Sequence, residues 1–156
     1  MAVKPIPEGY HSITPYLAVE DAGKAIDFYK EAFGAEELMR MPGPDGKIAH
    51  AEIQIGDSKL MLSDPFEQSS VQPPAERGGT TGSIFLYVDD VDSTFEQATE
   101  AGATVTSPLE DMFWGDRFGT VTDPFGHVWS MATHKEDLTE EQMAERSKAA
   151  MAEMGS

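Results

Sequence analysis

The sequence predicts an α+β fold in which two tandem βαβββ modules form curved mixed sheets around a cleft, followed by a C-terminal helix. Three observations carry this prediction. An internal repeat aligns TPYLAVEDAGKAIDFYKEAFGA with SIFLYVDDVDSTFEQATEAGA. Short segments rich in β-branched and aromatic residues are joined by hairpin-like turns. Near the end of the chain, Thr139-Glu140-Glu141-Gln142 has the pattern of a helix capping box.

The first module is predicted over residues 12–64. Its helix runs from Ala22 to Phe33, because Asp21 is a natural N-cap and Gly34 a natural C-cap. One stripe of this helix is apolar and consists of Ala25, Ile26, Tyr29 and Phe33. The strands of the module are predicted at residues 13–19, 35–40, 47–55 and 59–63.

The rest of the chain divides into a linker, a second module and a helix. Residues 65–82 lack hydrophobic periodicity and contain paired prolines and glycines, which predicts a linker. The second module follows at 83–134 and the C-terminal helix at 138–154. Within the second module we predict strands at 83–88 and 103–107, a helix at 91–101 and a final hairpin at 116–134.

That final hairpin has clear turn chemistry. In Asp123-Pro124-Phe125-Gly126, proline presets φ at the first central position and glycine tolerates a positive φ. Side chains of the next strand alternate between the two faces of the sheet. We therefore expect Trp129 and Met131 to pack against a helix, while Val128, Ser130 and Ala132 line a hollow. The same pattern also fits an ordinary hairpin with a filled core.

The amino-acid composition limits the kinds of molecule that this protein is expected to bind. The 156 residues fit one domain, and 28 acidic against 11 basic residues give a net charge of −17. Such a surface repels phosphate backbones and anionic lipids, so we expect neither nucleic acid nor membrane as a partner. No signal-peptide pattern follows the first residues, and the lack of cysteine excludes disulfides and thiolate chemistry. We expect a cytoplasmic protein.

Three phrases of the sequence resemble a known family. These are ITPYLAVEDAGKAIDFYKEAFGAEE, HAEIQIGDSKLMLSD and WGDRFGTVTDPFGHVW. They are similar to the vicinal oxygen chelate superfamily, which includes glyoxalase I, fosfomycin-resistance enzymes, extradiol dioxygenases and bleomycin-resistance proteins, and most of all to its PhnB-like branch. The resemblance covers residues 12–134. It implies a homodimer, since members commonly form clefts between modules of different chains.

The resemblance also locates the positions at which metal-dependent members carry their ligands. In this sequence those positions fall on Thr14, His50, Ser83 and Ser130. Only His50 is a good ligand, because neutral hydroxyl groups replace imidazole or carboxylate poorly. A catalytic metal ion usually needs three protein ligands. We therefore predict no metal and no other cofactor, although Glu52 shares a strand face with His50 and would be a second donor.

A ligand cleft is predicted where the inner faces of the two modules converge. His50 and Glu52 act there as a general-base pair or as a polar anchor for a ligand. The alternative, which is the commoner one, is that His50 is a histidine with its hydrogen bonds satisfied within a sheet. Trp114 precedes Gly115 in a loop, where it closes over a flat ligand or packs at the rim. The predicted cleft consists of Tyr16, His50, Glu52, Tyr87, Trp114 and Ser130.

Two neighbouring predictions concern charged groups. Asp116 and Arg117 are expected to pair with each other or to brace the Trp114 loop. His11, His127 and His134 lie at the ends of predicted elements, and we interpret them as surface residues.

The leading functional hypothesis is metal-independent binding of a small organic molecule, as in the bleomycin-resistance members. The alternative is a metal-dependent lyase, transferase or dioxygenase of the same superfamily that uses His50. A third hypothesis is an interaction domain without a small ligand. The sequence identifies no catalytic residue.

Overall fold

The computed structural model describes residues 2–155 and contains two four-stranded mixed sheets, one in each predicted module. The strands are β1 (Tyr16–Ala18), β2 (Glu36–Pro42), β3 (Ile48–Ile55), β4 (Ser58–Ser63), β5 (Ile84–Tyr87), β6 (Thr104–Asp111), β7 (Asp116–Thr122) and β8 (Val128–His134). The helices are α1 (Ala22–Phe33), α2 (Pro74–Arg77), α3 (Val91–Ala101) and α4 (Glu140–Met154). No helix in this described part is long and apolar enough to cross a membrane.

The sheets repeat one topology, which confirms the two tandem βαβββ modules. Their strand orders are β1-β4-β3-β2 and β5-β8-β7-β6. In each sheet the first strand runs parallel to the last strand of its module, with Tyr16 opposite Met61 and Phe85 opposite Ser130. The other pairs are antiparallel.

The predicted helix boundaries are close to the observed ones because they depend on local capping groups. The Asp21 carboxylate accepts from the Lys24 backbone N–H, and Gly34 ends α1 in the left-handed region at φ 67°. Thr139 and Gln142 form both hydrogen bonds of the capping box. The C-terminal helix begins at Glu140, two residues later than predicted.

The segment predicted as a linker has structure of its own. Residues 74–77 form the short helix α2, which begins with Pro74 as its first residue. Pro74 lies against the final hairpin, since a Cβ added to Gly126 would come within 2.8 Å of its Cβ. The segment therefore contacts the second module as well as connecting the two.

A single hydrophobic core lies between the sheets, on the sides that carry α1 and α3. The predicted apolar stripe of α1 is buried there, and Trp129 and Met131 are fully buried, as expected for residues that face a helix. Tyr29 and Phe33 lie with ring centroids 5.2 and 4.5 Å from that of Trp129. Residues of the first module therefore pack directly on the last strand of the second.

A buried carboxylate joins the two modules inside this core. Asp123 Oδ2 accepts from the Tyr29 hydroxyl at 2.6 Å and from Trp129 Nε1 at 2.9 Å. Its Oδ1 accepts from the backbone N–H groups of Phe125 and His127. Burial raises the pKa of Tyr29, and the Asp123 carboxylate raises it further, so the hydroxyl stays protonated and donates.

Within residues 2–155, no helix packs across the opposite sides of the sheets. We call them the first and second open faces. Register places the residues of each face side by side. The first open face carries Tyr16, Met39, Met41, His50, Glu52 and Met61. The second carries Phe85, Tyr87, Phe118, Thr120, Ser130 and Ala132.

Candidate functional site

The first open face carries a polar triplet. The Tyr16 hydroxyl lies 3.1 Å from His50 Nδ1, and His50 Nε2 lies 2.9 Å from Glu52 Oε2. A carboxylate only accepts, so Nε2 carries the proton in the bond to Glu52. In the neutral ring, Nδ1 then accepts from the Tyr16 hydroxyl. The predicted pairing of His50 with Glu52 is present, and Tyr16 extends it.

The second open face carries a continuous group of aromatic rings. The ring of Phe85 lies 5.0 Å from that of Tyr87 and stacks on Phe118 at 5.7 Å. Trp114 meets Phe118 edge-on at 5.6 Å and Phe113 at 5.1 Å. We call these five residues the aromatic platform. Phe85 and Tyr87 are 47% and 60% exposed, so their rings are accessible.

One buried carboxylate holds two members of the platform. Asp116 is 3% exposed, and its Oδ2 accepts from the Tyr87 hydroxyl at 2.9 Å and from Trp114 Nε1 at 3.0 Å. Its Oδ1 bonds His134 Nδ1 at 2.8 Å. Burial works to raise the pKa of Asp116, but hydrogen bonds from His134, Tyr87 and Trp114 outweigh it and lower that pKa. The ionised carboxylate therefore fixes the orientation of both rings.

His134 links this carboxylate to the start of the C-terminal helix. Its Nε2 lies 2.8 Å from Asp137 Oδ1, so both ring nitrogens face carboxylates and both donate in the imidazolium form. The hydrogen bonds to Asp116 and then to Asp137 raise the pKa of His134. Arg146 of α4 also donates hydrogen bonds in this region, to the Glu136 carboxylate at 2.8 Å and to the Phe113 carbonyl at 3.4 Å. The helix is thus attached beside the platform.

The structure decides between the two roles predicted for Asp116 and Arg117 and corrects the prediction for His134. Of the two roles expected for Asp116 and Arg117, the structure shows Asp116 bracing the Trp114 loop through the bond from Trp114 Nε1, and the two residues do not pair with each other. Arg117 instead binds Asp92 at 2.9 Å and Asp111 at 3.3 Å, which ties α3 to strands β6 and β7. His134 is half-exposed but is not a simple surface residue, because it bonds the buried Asp116. The register of the final hairpin could have predicted the contact between Asp116 and His134, because it places the two residues directly opposite each other.

A second histidine also differs from its prediction. The sequence predicts a surface position for His127, but His127 is only partly exposed and its Nε2 lies 2.9 Å from the Ala18 carbonyl. Ala18 belongs to the short edge strand of the first module. His127 therefore connects the final hairpin to the first sheet.

The six predicted cleft residues fall into two groups on different sheets. Tyr16, His50 and Glu52 are in direct contact on the first open face. Tyr87 and Trp114 share the Asp116 carboxylate on the second, and Ser130 lies beside Thr120 there with 8% of its surface exposed. Among residues 2–155, no hydrogen bond or ring contact joins one group to the other.

The four positions to which the resemblance assigns metal ligands carry mainly hydroxyl groups here. Thr14 Oγ1 is 3.4 Å from the His11 carbonyl, and Ser130 Oγ is 3.3 Å from Thr120 Oγ1. With Ser83 at the third position, His50 is left as the one strong donor of four. Within the described chain, no group of three or more His, Cys, Asp or Glu side chains is arranged to hold a metal ion.

Comparisons with known proteins agree with this architecture. A family model of the Glyoxalase/Bleomycin resistance protein/Dioxygenase superfamily matches residues 9–131. Uncharacterized protein Rv0887c of Mycobacterium tuberculosis is 45% identical over 147 residues, which cover 92% of this chain and 84% of that protein. A Vibrio cholerae protein named "Probable lactoylglutathione lyase" is 26% identical, over 77% of this chain and 88% of its own.

Solved structures give the same assignment. The crystal structure of TioX from Micromonospora sp. ML1 superposes with a TM-score of 0.65 at 33% identity, covering 80% of this chain and 98% of TioX. Its coverage includes both modules rather than one. The family match, the relatives and the repeated βαβββ topology together show that this chain belongs to the glyoxalase/bleomycin resistance protein/dioxygenase superfamily, as its sequence motifs predicted.

Proposed function

We propose that this protein binds a small, flat organic molecule without a metal ion. The observation that carries the proposal is the aromatic platform. Neighbouring aromatic rings on an open sheet face offer a stacking surface, and each stacked pair is worth about 0.5–1.5 kcal/mol beyond its buried area. Asp116 holds Tyr87 and Trp114 in fixed orientations, so little side-chain freedom is lost when a ligand stacks.

The proposal includes a homodimer, in which the first open face of one chain opposes the second open face of the other. The first face exposes Tyr16, Met39 and Met41 at 41%, 36% and 49%. Large apolar side chains grouped on one surface are typical of a binding or assembly surface. Such pairing brings the polar triplet of one chain toward the platform of its partner, and so assembles the six predicted cleft residues from two chains.

The dimer is tested by light scattering. We expect a particle of twice the 17.0 kDa chain mass at concentrations well above micromolar. A monomer under those conditions contradicts the two-chain cleft. Ligand binding to that monomer would then place the site on the second open face alone.

The competing function is metal-dependent catalysis through His50. Its support is the likeness to the Vibrio cholerae protein together with the His50–Glu52 pair. The donor set at the other three positions argues against it. Metal analysis of protein purified without chelator separates the two functions. If the protein holds one metal ion tightly per site and His50→Ala loses it, metal-dependent catalysis becomes the better assignment and our proposal is wrong.

Ligand binding is tested by a thermal-shift screen over flat aromatic compounds, since a ligand that binds the native state raises Tm by mass action. We expect Trp114→Ala to weaken a hit about ten-fold or less, in line with the loss of one stacking contact. Phe66→Ala is the matched control, because Phe66 is a linker aromatic that contacts Lys47 away from the platform. Equal binding to wild type, Trp114→Ala and His50→Ala places the site elsewhere, and no hit in the screen favours an interaction domain.

A further inference from the structure

A separate cavity of about 240 Å³ opens between the N-terminal segment at residues 11–15, the β3–β4 turn and the edge strand β5. Most of its lining is apolar and includes Ile13, Ile55, Leu60, Ile84 and Leu86, with Trp129 buried at the base of the wall. The polar residues of the lining are His11, Thr14, Ser58 and Lys59. It adjoins the aromatic platform only at Phe85. None of the polar triplet, and none of the Asp116 hydrogen-bond network, lines it.

One lysine lies on the rim of this cavity without an acidic partner. Lys59 is partly buried, and its Nζ lies 4.3 Å from the ring centroid of Tyr10. No carboxylate lies within 4.0 Å of that amino group in the part of the chain that the structure describes. This contrasts with the composition of the chain, in which 28 acidic residues outnumber 11 basic ones.

The tyrosine beneath this lysine also lacks a polar partner. Within residues 2–155, the Tyr10 hydroxyl is the one buried side-chain polar atom that has no hydrogen bond. Buried polar groups are normally paired, and each exception calls for an explanation. The amino group is closely confined as well, since a Cβ added to Gly9 would come within 2.7 Å of Lys59 Nζ. The rim therefore presents a confined positive charge beside an apolar wall.

We propose that this cavity binds a small monocarboxylate with an apolar chain, the size of a medium-chain fatty acid. The chain lies against Ile13, Ile84 and Leu86, which are the accessible apolar side chains of the lining, and the carboxylate pairs with Lys59 Nζ. A volume of 240 Å³ holds about eight non-hydrogen atoms at roughly 30 Å³ each, which corresponds to six carbons and the two carboxylate oxygens. A chain of eight carbons fills this volume and extends by about two atoms into the open mouth of the cavity. Apolar burial favours the chain, and the lysine selects an anion over a neutral or cationic head group.

The two tryptophans of the chain make binding observable by fluorescence. Trp129 lies in the cavity wall and Trp114 in the platform, so Trp114→Phe leaves Trp129 as the reporter. We titrate this variant with octanoate, octan-1-ol and octylamine, which share one chain and differ in charge. The expected result is a saturable change in Trp129 emission with octanoate in the micromolar to low millimolar range, at least about ten-fold tighter than with octylamine.

Substitution of the lysine tests the anion site directly. Lys59→Met keeps the length of the side chain and removes its charge, so we expect octanoate to bind about ten-fold more weakly or worse while octan-1-ol binds unchanged. Lys47→Met is the matched control, because Lys47 also lies over an aromatic ring, that of Phe66, but lines no part of this cavity. It leaves octanoate binding unchanged.

Three results overturn the proposal: no saturable signal with octanoate, equal affinity for octanoate and octylamine, or full octanoate affinity in Lys59→Met. Near-ultraviolet circular dichroism of each variant confirms that it is folded. Success or failure at the platform is separate, because flat ligands of the platform respond to Trp114 and octanoate responds to Lys59.

Discussion

The first module presents a polar triplet on its open face, and the second presents aromatic rings above a buried carboxylate. Both modules have the same strand order, and both turn their helix-bearing sides to one shared core. Packing constrains those inner sides strongly, because a buried position tolerates little change in volume. The open faces carry no such constraint within one chain. The chemical difference between the modules is therefore concentrated on the open faces, where we propose that a ligand and a second chain make contact.

A second difference lies at the starts of the two long helices. In the first module, the backbone N–H of Ala22 donates to Asp64 Oδ1 at 2.9 Å. In the second, the N–H of Val91 donates to Thr133 Oγ1 at 2.8 Å. Asp64 and Thr133 occupy equivalent places at the end of the last strand of each module. One structural requirement is thus met by a charged group in one module and by a neutral one in the other.

The largest expected effect comes from the group that joins the modules. Asp123→Ala removes the acceptor for Tyr29, Trp129 and two backbone N–H groups, and leaves donors buried without partners. We expect a loss of about 3–5 kcal/mol in the free energy of unfolding, measured by urea denaturation. Glu100→Ala, an exposed change on α3, is the control. A loss below about 1 kcal/mol would show that the two modules do not depend on this contact.

Substitutions at the two helix starts are expected to lower the free energy of unfolding by smaller amounts, which differ between the modules. Asp64→Ala removes an acceptor for Ala22 N–H and also for Ile48 N–H, at 2.7 Å, so we expect a loss of about 2–4 kcal/mol. Thr133→Val keeps the shape of the side chain and removes one helix-start bond and one bond to the Val88 carbonyl. We expect about 1–2 kcal/mol there. Equal losses in matched urea titrations would mean that the charge of Asp64 adds nothing.

Asp116→Asn tests whether the second open face depends on its carboxylate. An amide nitrogen cannot accept, so the variant loses either the bonds from Tyr87 and Trp114 or the bond from His134. We expect a loss of about 1–2 kcal/mol in the free energy of unfolding and a changed Trp114 emission. Asp111→Asn, on the neighbouring strand and paired with Arg117, is the control. Unchanged emission in Asp116→Asn would show that the platform keeps its geometry without the carboxylate.

The smallest expected effect is a pH dependence confined to the second module. The pKa of His134 is raised in the folded protein by hydrogen bonds to Asp116 and Asp137. Its stabilising contribution is therefore complete below the unfolded-state pKa of about 6.5 and is lost as pH rises through the folded-state value. We expect the free energy of unfolding of wild type to fall relative to that of His134→Asn as pH increases above about 6.5.

Urea titrations of both proteins from mildly acid to mildly alkaline pH provide the measurement. The effect is small because the His134 side chain is 52% exposed and solvent screens the ion pairs. If the difference in the free energy of unfolding between the two proteins stays constant across this pH range, the ion pairs of His134 do not contribute to stability.

Local signals in the sequence determined the helices, the final hairpin and the repeat. Capping residues such as Asp21 and Thr139 act within three positions of themselves, and alternation along a strand depends only on neighbouring residues. The same alternation placed His50 beside Glu52 and set Trp129 against a helix. These predictions succeeded because the interactions that determine them join residues that are close together in the sequence.

Contacts between groups that lie far apart in the sequence follow from the tertiary fold. The strand predicted at 13–19 is reduced to Tyr16–Ala18, because pairing with β4 exists over only these three residues. The hydrogen bond from Tyr87 to Asp116 joins residues 29 positions apart in the sequence, and the bond from Tyr29 to Asp123 joins residues 94 positions apart. Such contacts depend on how two sheets are placed around a shared core, and no local pattern in the chain carries that information. For the same reason, the sequence identified aromatic residues for a cleft, whereas the structure showed the carboxylate that holds two of them in place.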